Sequence, residues 1–146
     1  MFLEEIFPTP IWGFDLNMDV DSIKYWCYSC MKENPGRVIS NVGGWQSEDY
    51  REFGNTPLAE LVLYIVKESH NIANDIGIPK GDRWIENLWL NINPKYSYNQ
   101  VHVHPEARLS GVFYVSAPEN SGDICFTRSG GYLSLIHISE PTRQDR

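Results

Sequence analysis

The stretch NLWLNINPKYSYNQVHVHPEARLSGVFYVSAPENSGDICF, residues 87–126, decides the fold that this sequence predicts. Apolar and polar side chains alternate along much of it, which is typical of β-strands because successive side chains leave opposite faces. His102 and His104 are therefore predicted to point from one face, and Val101 and Val103 from the other. Two imidazoles on one face are suited to binding a metal, although from the spacing alone two histidines that line a polar cleft are the simpler interpretation.

The alternation also extends to both sides of the histidines. In the preceding strand, Leu88, Leu90 and Ile92 are predicted to leave one face and Asn91 and Asn93 the other. For an ordinary sheet, two asparagines opposite an aliphatic row would simply face solvent. Because this strand leads within a few residues to the histidine pair, Asn91 and Asn93 are candidates for lining the same cavity as the two imidazoles.

A further strand is predicted over residues 109–115. Ser110 and Tyr114 lie on the same face as Val112, in phase with the cavity, while Phe113 leaves the opposite face. As plain strand residues they need no further role, and as cavity residues their hydroxyls could orient a bound molecule.

Two helices are predicted before these strands. Asp19 or Asp21 can cap the first, in which apolar residues recur at helical spacing up to Pro35. The second begins at Thr56-Pro57 and closes at Gly77, and it should pack on the outside of a sheet. Helices followed by short strands with turn signals predict an α+β fold with a β-sandwich or barrel core.

Two shorter motifs have a structural and a functional interpretation each. Cys27 and Cys30 form a C-x-x-C that can be half of a zinc or redox site, but with no second such pair they are better explained as one face of a helix. The segment NVGGWQS, residues 41–47, is most simply a turn anchored by a buried tryptophan. The alternative is that Trp45, Gln46 and Ser47 line one wall of the cavity.

The pattern N-x-W-x-N-x-N-x(5)-N-x(2)-H-x-H-P-x(4)-S-G-V-x-Y-V resembles a group of 2-oxoglutarate- and Fe(II)-dependent oxygenases of bacteriophage type. The segments IFPTPIW, residues 6–12, and NVGGWQS resemble that group's opening segments, so the resemblance covers about residues 1–128. It implies a double-stranded β-helix, or jelly roll, incomplete at the C-terminus and with the N-terminal helices packed outside the sheet. The function it implies is a dioxygenase of the hydroxylase type, with Fe(II) as cofactor and 2-oxoglutarate as co-substrate.

By the same resemblance, His102 and His104 are the expected metal ligands, and Asn91, Asn93, Ser110 and Tyr114 the expected co-substrate contacts. Most such families place a carboxylate where His104 stands. This departure leaves open a three-histidine site or a different third ligand, such as Glu106 if the strand bulges.

The C-terminal stretch departs from this pattern. Leu133 to Arg143, LSLIHISEPTR, resembles a translated sequencing adapter, so residues 133–146 are predicted to be a non-native tail and residues 1–132 a partial oxygenase-like domain. The distal histidine and the basic residue for 2-oxoglutarate would then be missing, and this chain is expected to be inactive.

Charge and composition narrow the partners. A net charge of −7 with no basic cluster argues against direct nucleic-acid binding. The sequence has no apolar run of membrane-spanning length and no signal-peptide pattern, so it does not predict contact with a membrane. Three cysteines suit a reducing compartment. We expect a cytoplasmic protein, in the host cytoplasm if phage-encoded, which uses a small-molecule co-substrate and could form a homodimer. The alternatives are a non-catalytic jelly-roll binding or phage structural module, and a cupin-like zinc or manganese enzyme.

Overall fold

A computed structural model describes residues 9–78, 85–105 and 107–127, and the backbone of residues 136–138. Several predicted features lie outside these residues: Ile6 and Phe7 of the opening segment, Glu106, and the predicted tail apart from that short backbone stretch.

Helix α1 spans Val20–Glu33, and Asp19 caps it by accepting hydrogen bonds from the backbone N–H groups of Asp21 and Ser22. A hydrogen bond from the Ser22 hydroxyl, together with these backbone bonds, holds the pKa of the Asp19 carboxyl below its usual value, because each bond favours the charged form. The cap and the end of the helix before Pro35 confirm the prediction. The apolar spacing buries Ile23 and Cys27 on the inner face.

Helix α2 spans Ala59–Asp75. The Oγ1 atom of Thr56 accepts a hydrogen bond from the backbone N–H of Leu58 at 3.2 Å, which is a capping contact one turn ahead of the helix. At the other end Gly77 has a φ of 71°, a conformation in which glycine is least strained. Both predicted ends of this helix are thus confirmed to within a turn.

Short antiparallel strand pairs make up the β part. The strands are β1 (Asn41–Val42), β2 (Trp45–Gln46), β3 (Asn91–Ile92), β4 (Tyr98–Asn99), β5 (Ile124–Phe126) and β6 (Ile136–Ile138). In the described residues they form three two-stranded sheets, β1 with β4, β2 with β3, and β5 with β6. The predicted α+β class is therefore confirmed, while these pairs do not display the closed jelly roll that the family resemblance implies.

The core lies where both helices meet the β2–β3 pair. Its buried members are Ile23, Cys27, Leu58, Leu61 and Leu90. Around them pack partly buried side chains from every described layer of the molecule, among them Trp26, Trp45, Tyr50, Leu88, Ile92, Phe113 and Val115.

Two of the predicted strands differ from expectation. Among the described residues, no neighbouring backbone forms strand hydrogen bonds with residues 101–104 or 109–115. The alternation of side chains persists nonetheless. Phe113 and Val115 pack against the core, whereas Val112 and Tyr114 are exposed. The sequence pattern thus predicts correctly which of these side chains share a face. The predicted pairing of their backbone into strands is wrong.

In the part of the chain that is described, neither helix is both long enough and apolar enough to span a membrane.

Candidate functional site

The two predicted ligand residues, His102 and His104, lie side by side. Their ring centroids are 4.9 Å apart and their planes differ by 32°. His102 is exposed and His104 half-buried, while Val101 and Val103 are 79% and 78% exposed. The pair therefore shares one side of its segment, as predicted, but on an open face of the described structure.

Each imidazole is held through its Nδ1 atom. Nδ1 of His102 lies 2.7 Å from the backbone oxygen of Gln100, which can only accept, so this nitrogen donates. A neutral His102 then carries its free lone pair on Nε2. Nδ1 of His104 lies 2.5 Å from Oγ of Ser110, and if the hydroxyl accepts, Nε2 of His104 is free in the same way.

Trp89 completes this group, which we call the histidine cluster: Trp89, His102, His104 and Ser110. The rings of Trp89 and His104 meet edge to face with centroids 5.4 Å apart. An aromatic pair of this kind stabilises a ring orientation by roughly 0.5–1.5 kcal/mol beyond the burial of its surface. The alternation along residues 88–93 puts Trp89 on the same face as Asn91, but nothing in the sequence assigns it a role.

The spacing of the two rings fits a shared metal ion. A metal–nitrogen distance of about 2.1 Å puts each ring centroid roughly 3.2 Å from the metal, so two imidazoles bound at 90–110° to each other have centroids about 4.5–5.3 Å apart. The observed 4.9 Å lies inside this interval. Together with two available Nε2 atoms, this makes the pair suitable as two ligands of a divalent ion.

A third ligand is not supplied by the described residues. Within residues 9–78, 85–105 and 107–127, no group of three or more His, Cys, Asp or Glu side chains is arranged to hold a metal ion. Glu106, the carboxylate candidate nearest to the pair, is outside this part of the chain.

The structure places the predicted co-substrate residues differently from one another. Ser110 contacts His104 directly. Asn93 instead packs against the β1–β2 turn, where its Oδ1 atom occupies the space that a Cβ on Gly44 would need. Asn91 is exposed, and Tyr114 is 46% exposed. The sequence predicts a turn at NVGGWQS, but it does not predict that Asn93 packs against this turn, since only the pairing of β2 with β3 brings them together.

A polar row crosses the sheet beside this site. Gln46 is the antiparallel partner of both Arg37 and Asn91, so the three side chains share a face, which we call the polar row. Gln46 is only 3% exposed. Its Oε1 atom and the Nε atom of Arg37 are buried, and neither has a hydrogen-bond partner in the described structure. Arg37 carried no signal in the sequence, because its role depends on a pairing across nine residues.

The polar row and the histidine cluster lie on the same side of β3. Leu88, Leu90 and Ile92 point into the core, so Trp89 and Asn91 leave the opposite face. Since Asn91 adjoins Gln46 and Trp89 contacts His104, the two groups are neighbours on one surface.

A cleft of about 300 Å³ lies between the segment before α1 and the start of α2. Its lining includes Asp15, Asn17, Glu60 and Tyr64. No predicted site residue takes part in it.

The C-x-x-C pair belongs to the packed side of the molecule. Burial, followed by the nearby Cys30, raises the pKa of the Cys27 thiol to about 11. Burial and a hydrogen bond with Cys30 raise the pKa of the Tyr50 hydroxyl to about 12. A thiol whose pKa is raised by burial is a poor nucleophile and a poor metal ligand, which agrees with the structural interpretation for Cys27.

Among the histidines, His70 has a structural explanation. Its Nδ1 atom lies 2.7 Å from the backbone oxygen of Val66, one turn earlier in α2. His70 thus lies on α2 and takes no part in the histidine cluster.

Comparison with known families matches residues 87–146 to a family described as "Putative 2OG-Fe(II) oxygenase". Comparison with curated proteins and with solved structures found no significant match. The matched range contains the whole histidine cluster, and it also runs through residues 133–146. This match supports an oxygenase family, dependent on Fe(II) and 2-oxoglutarate, for the part of the chain that carries the paired histidines.

Proposed function

We propose that this chain is part of a 2-oxoglutarate- and Fe(II)-dependent dioxygenase of the hydroxylase type, and that His102 and His104 are two of its iron ligands. The observation that carries the proposal is the pair of rings 4.9 Å apart, inside the segment that matches the family. The match alone would not select these residues, and the ring pair alone would not select iron.

The residues of this chain have definable tasks in such a site. Bound Fe(II), with 2-oxoglutarate and dioxygen, supplies the oxidising chemistry that hydroxylates a substrate carbon. Gln100 and Ser110 orient the two rings through Nδ1, and with the Ser110 hydroxyl as acceptor both Nε2 atoms are left to bind metal. Trp89 limits rotation of His104.

The expected co-substrate contacts divide on structural grounds. Ser110 already holds His104, and Asn91 and Tyr114 are exposed, which keeps these three residues as proposed contacts of 2-oxoglutarate. Asn93 is the weakest of the four, because its side chain is engaged against Gly44.

Several finer expectations remain part of the proposal. These are the bacteriophage type of the family, the jelly-roll architecture, a cytoplasmic location, a capacity to form a homodimer, and residues 133–146 as a non-native tail. With two proposed ligands among the described residues, we expect this polypeptide to turn over 2-oxoglutarate negligibly.

The proposal is tested by titrating the protein with Co(II), a stand-in for Fe(II) that does not oxidise in air. The side-chain NMR signals of His102 and His104 should shift or broaden together at one stoichiometric equivalent, and His70 serves as the internal control. Equal perturbation of all three would contradict the assignment. Succinate release from 2-oxoglutarate by this chain would contradict the expected inactivity while leaving the metal site standing.

The same titration separates the enzyme from a non-catalytic binding module. A module predicts no selective response at the pair. If the chain belongs to a zinc or manganese enzyme of cupin type, a second Co(II) titration with 2-oxoglutarate present should show no stronger metal binding than the first.

A further inference from the structure

The cleft between the segment before α1 and the start of α2 has one side built by alternating side chains. Leu16 and Met18 pack against the core, while Asp15 and Asn17, which alternate with them, are exposed. All four line the cleft. This side therefore presents two apolar side chains next to a carboxylate and a carboxamide, and the packing of the apolar pair holds it in place.

Helix α2 supplies the other side of the cleft. Glu60 and Tyr64 are four residues apart, so they share one face of the helix, and both line the cleft. The ring of Tyr64 is half-buried and meets the ring of Phe14 edge to face, with centroids 6.2 Å apart. Because Phe14 adjoins Asp15 in the chain, this contact links the two sides of the cleft.

The size of the cleft suits a small molecule. Its volume of about 300 Å³ is at the lower end of the range for ligand pockets, which runs from about 300 to 1,000 Å³. A compact space of this volume is roughly 8 Å across, so one small molecule within it reaches side chains of both elements. Since Asp15, Asn17 and Glu60 are exposed, the cleft is open to solvent and a ligand can enter it.

The polar part of the lining favours a positively charged ligand. It contains two carboxylates and no Lys, Arg or His side chain. Among the described residues, neither Asp15 nor Glu60 forms an ion pair. An anion would be repelled, and a neutral molecule would leave both carboxylates without a counter-charge.

The apolar part of the lining favours an organic cation over a metal ion. Within the described ranges, no three His, Cys, Asp or Glu side chains are grouped to hold a metal ion. Leu16 and Met18 present apolar surface that a hydrated ion would not use and that an aliphatic chain would cover. A charged head on a short aliphatic stem uses both parts of the lining.

We propose that this cleft binds a primary ammonium group on a short aliphatic chain. The ammonium donates hydrogen bonds to the carboxylates of Asp15 and Glu60, and the chain lies on Leu16 and Met18. An ammonium has three donors and no acceptor, which matches carboxylates, since they only accept. Its donors are not confined to a plane, so it can bond to side chains from two different elements more readily than a planar guanidinium can.

The source of the ammonium is either a free amine or a lysine side chain, and the two share the same chemistry. The cleft has no residue in common with the histidine cluster. The proposal is therefore independent of the proposed oxygenase function and can be tested on the metal-free protein.

The test is a titration of ¹⁵N-labelled protein with n-butylammonium, followed by NMR. We expect saturable shifts of the side-chain N–H signals of Asn17 and of the backbone N–H signals of residues 15–18. The matched probes are n-butanol and n-butyrate, whose heads are neutral and negative, and neither should give a saturable shift. A lysine blocked at both its amino and carboxyl ends distinguishes the sources. If it binds as n-butylammonium does, the cleft accepts a lysine side chain, and if only n-butylammonium binds, the cleft takes free amines.

Two variants identify the binding groups. Asp15→Asn and Glu60→Gln each keep the size of the side chain and remove one charge. Because charge-assisted hydrogen bonds are roughly twice as strong as neutral ones, each variant should weaken n-butylammonium binding roughly tenfold. Glu33→Gln removes one charge at an exposed position on α1 outside the cleft and should leave the affinity unchanged.

Several results would overturn the proposal. These are the absence of a saturable shift with n-butylammonium, equal binding of n-butanol, and undiminished binding in both variants. An equal loss in Glu33→Gln would show that only the overall negative charge attracts the cation. Tighter binding of n-butylguanidinium than of n-butylammonium would also reject a primary ammonium as the ligand. If Glu60→Gln does not fold, the parent titration and Asp15→Asn still decide.

Discussion

The packed half of the molecule and its histidine face are built in different ways. Around Ile23, Leu58 and Leu61, three layers of structure converge and bury side chains almost completely. At the histidine face, His102 and His104 lie on a segment without strand pairing among the described residues, and each ring is held by one hydrogen bond and by ring contacts. Burial stabilises the first region, whereas the second depends on a few oriented hydrogen bonds.

We infer from this difference that the residues that stabilise the fold are not the residues proposed to bind metal. Substitutions in the core should alter folding and spare the intrinsic properties of the pair. Substitutions at the face should do the reverse. The following predictions test that separation in order of expected size.

The largest effect is expected from Leu58→Ala. Leu58 is 2% exposed, and truncating such a side chain leaves a cavity, at a cost of about 2–5 kcal/mol in the free energy of unfolding. Leu63→Ala on the same helix is the control, because Leu63 is 72% exposed and should change stability by less than about 0.5 kcal/mol. Urea denaturation measures both. Similar losses for the two would mean that the described core is not the stabilising one.

The next effect is expected from His104→Ala. Outer contacts of metal ligands typically contribute 10–100-fold in affinity, so loss of a ligand should weaken Co(II) binding by roughly 100-fold. The urea midpoint should change little, since this half-buried ring is outside the core. His70→Ala is the matched comparison and should retain the affinity. A large loss of stability in His104→Ala with unchanged metal binding would mean that His104 stabilises the fold and is not a metal ligand.

A smaller effect concerns pH and the packed half. The thiol of Cys27 keeps its proton to a pKa of about 11 in the folded protein, compared with 9.0 when exposed. The folded state therefore binds more protons than the unfolded state between these values, so stability is full below pH 9 and falls as the pH rises to 11. The contribution is roughly 2 kcal/mol across this window.

Denaturation at a series of pH values measures this slope. Cys27→Ala should flatten it, with the remainder coming from Tyr50, whose pKa is raised from 10.0 to about 12. Ile23→Val is the control, since it weakens packing and should keep the parental slope. A slope that Cys27→Ala leaves unchanged would show that this thiol is not buried in solution.

The smallest effect is expected from Ser110→Ala. Ser110 orients His104 without binding metal itself, so its removal should weaken Co(II) affinity about tenfold, at the lower end of the range for such contacts. Ser121→Ala, in an exposed turn, should leave the affinity unchanged. An effect as large as that of His104→Ala would indicate that the hydroxyl is itself a ligand.

The structural features that depend on local periodicity could be predicted from the sequence. The two helices, an aspartate cap on the first, the closing Gly77 and the opposite facing of Phe113 and Tyr114 follow from spacings of a few residues, because backbone geometry fixes which side chains share a face. The adjacency of His102 and His104 belongs to the same class.

Which distant residues meet could not be read from the sequence and depends on the tertiary structure. The contact of Trp89 with His104, the engagement of Asn93 at Gly44 and the polar row of Arg37, Gln46 and Asn91 all depend on strand pairing. The lack of strand pairing at residues 101–104 is a tertiary outcome as well. Pairing is set by the sum of many weak contacts between segments far apart in sequence, and no single spacing encodes it.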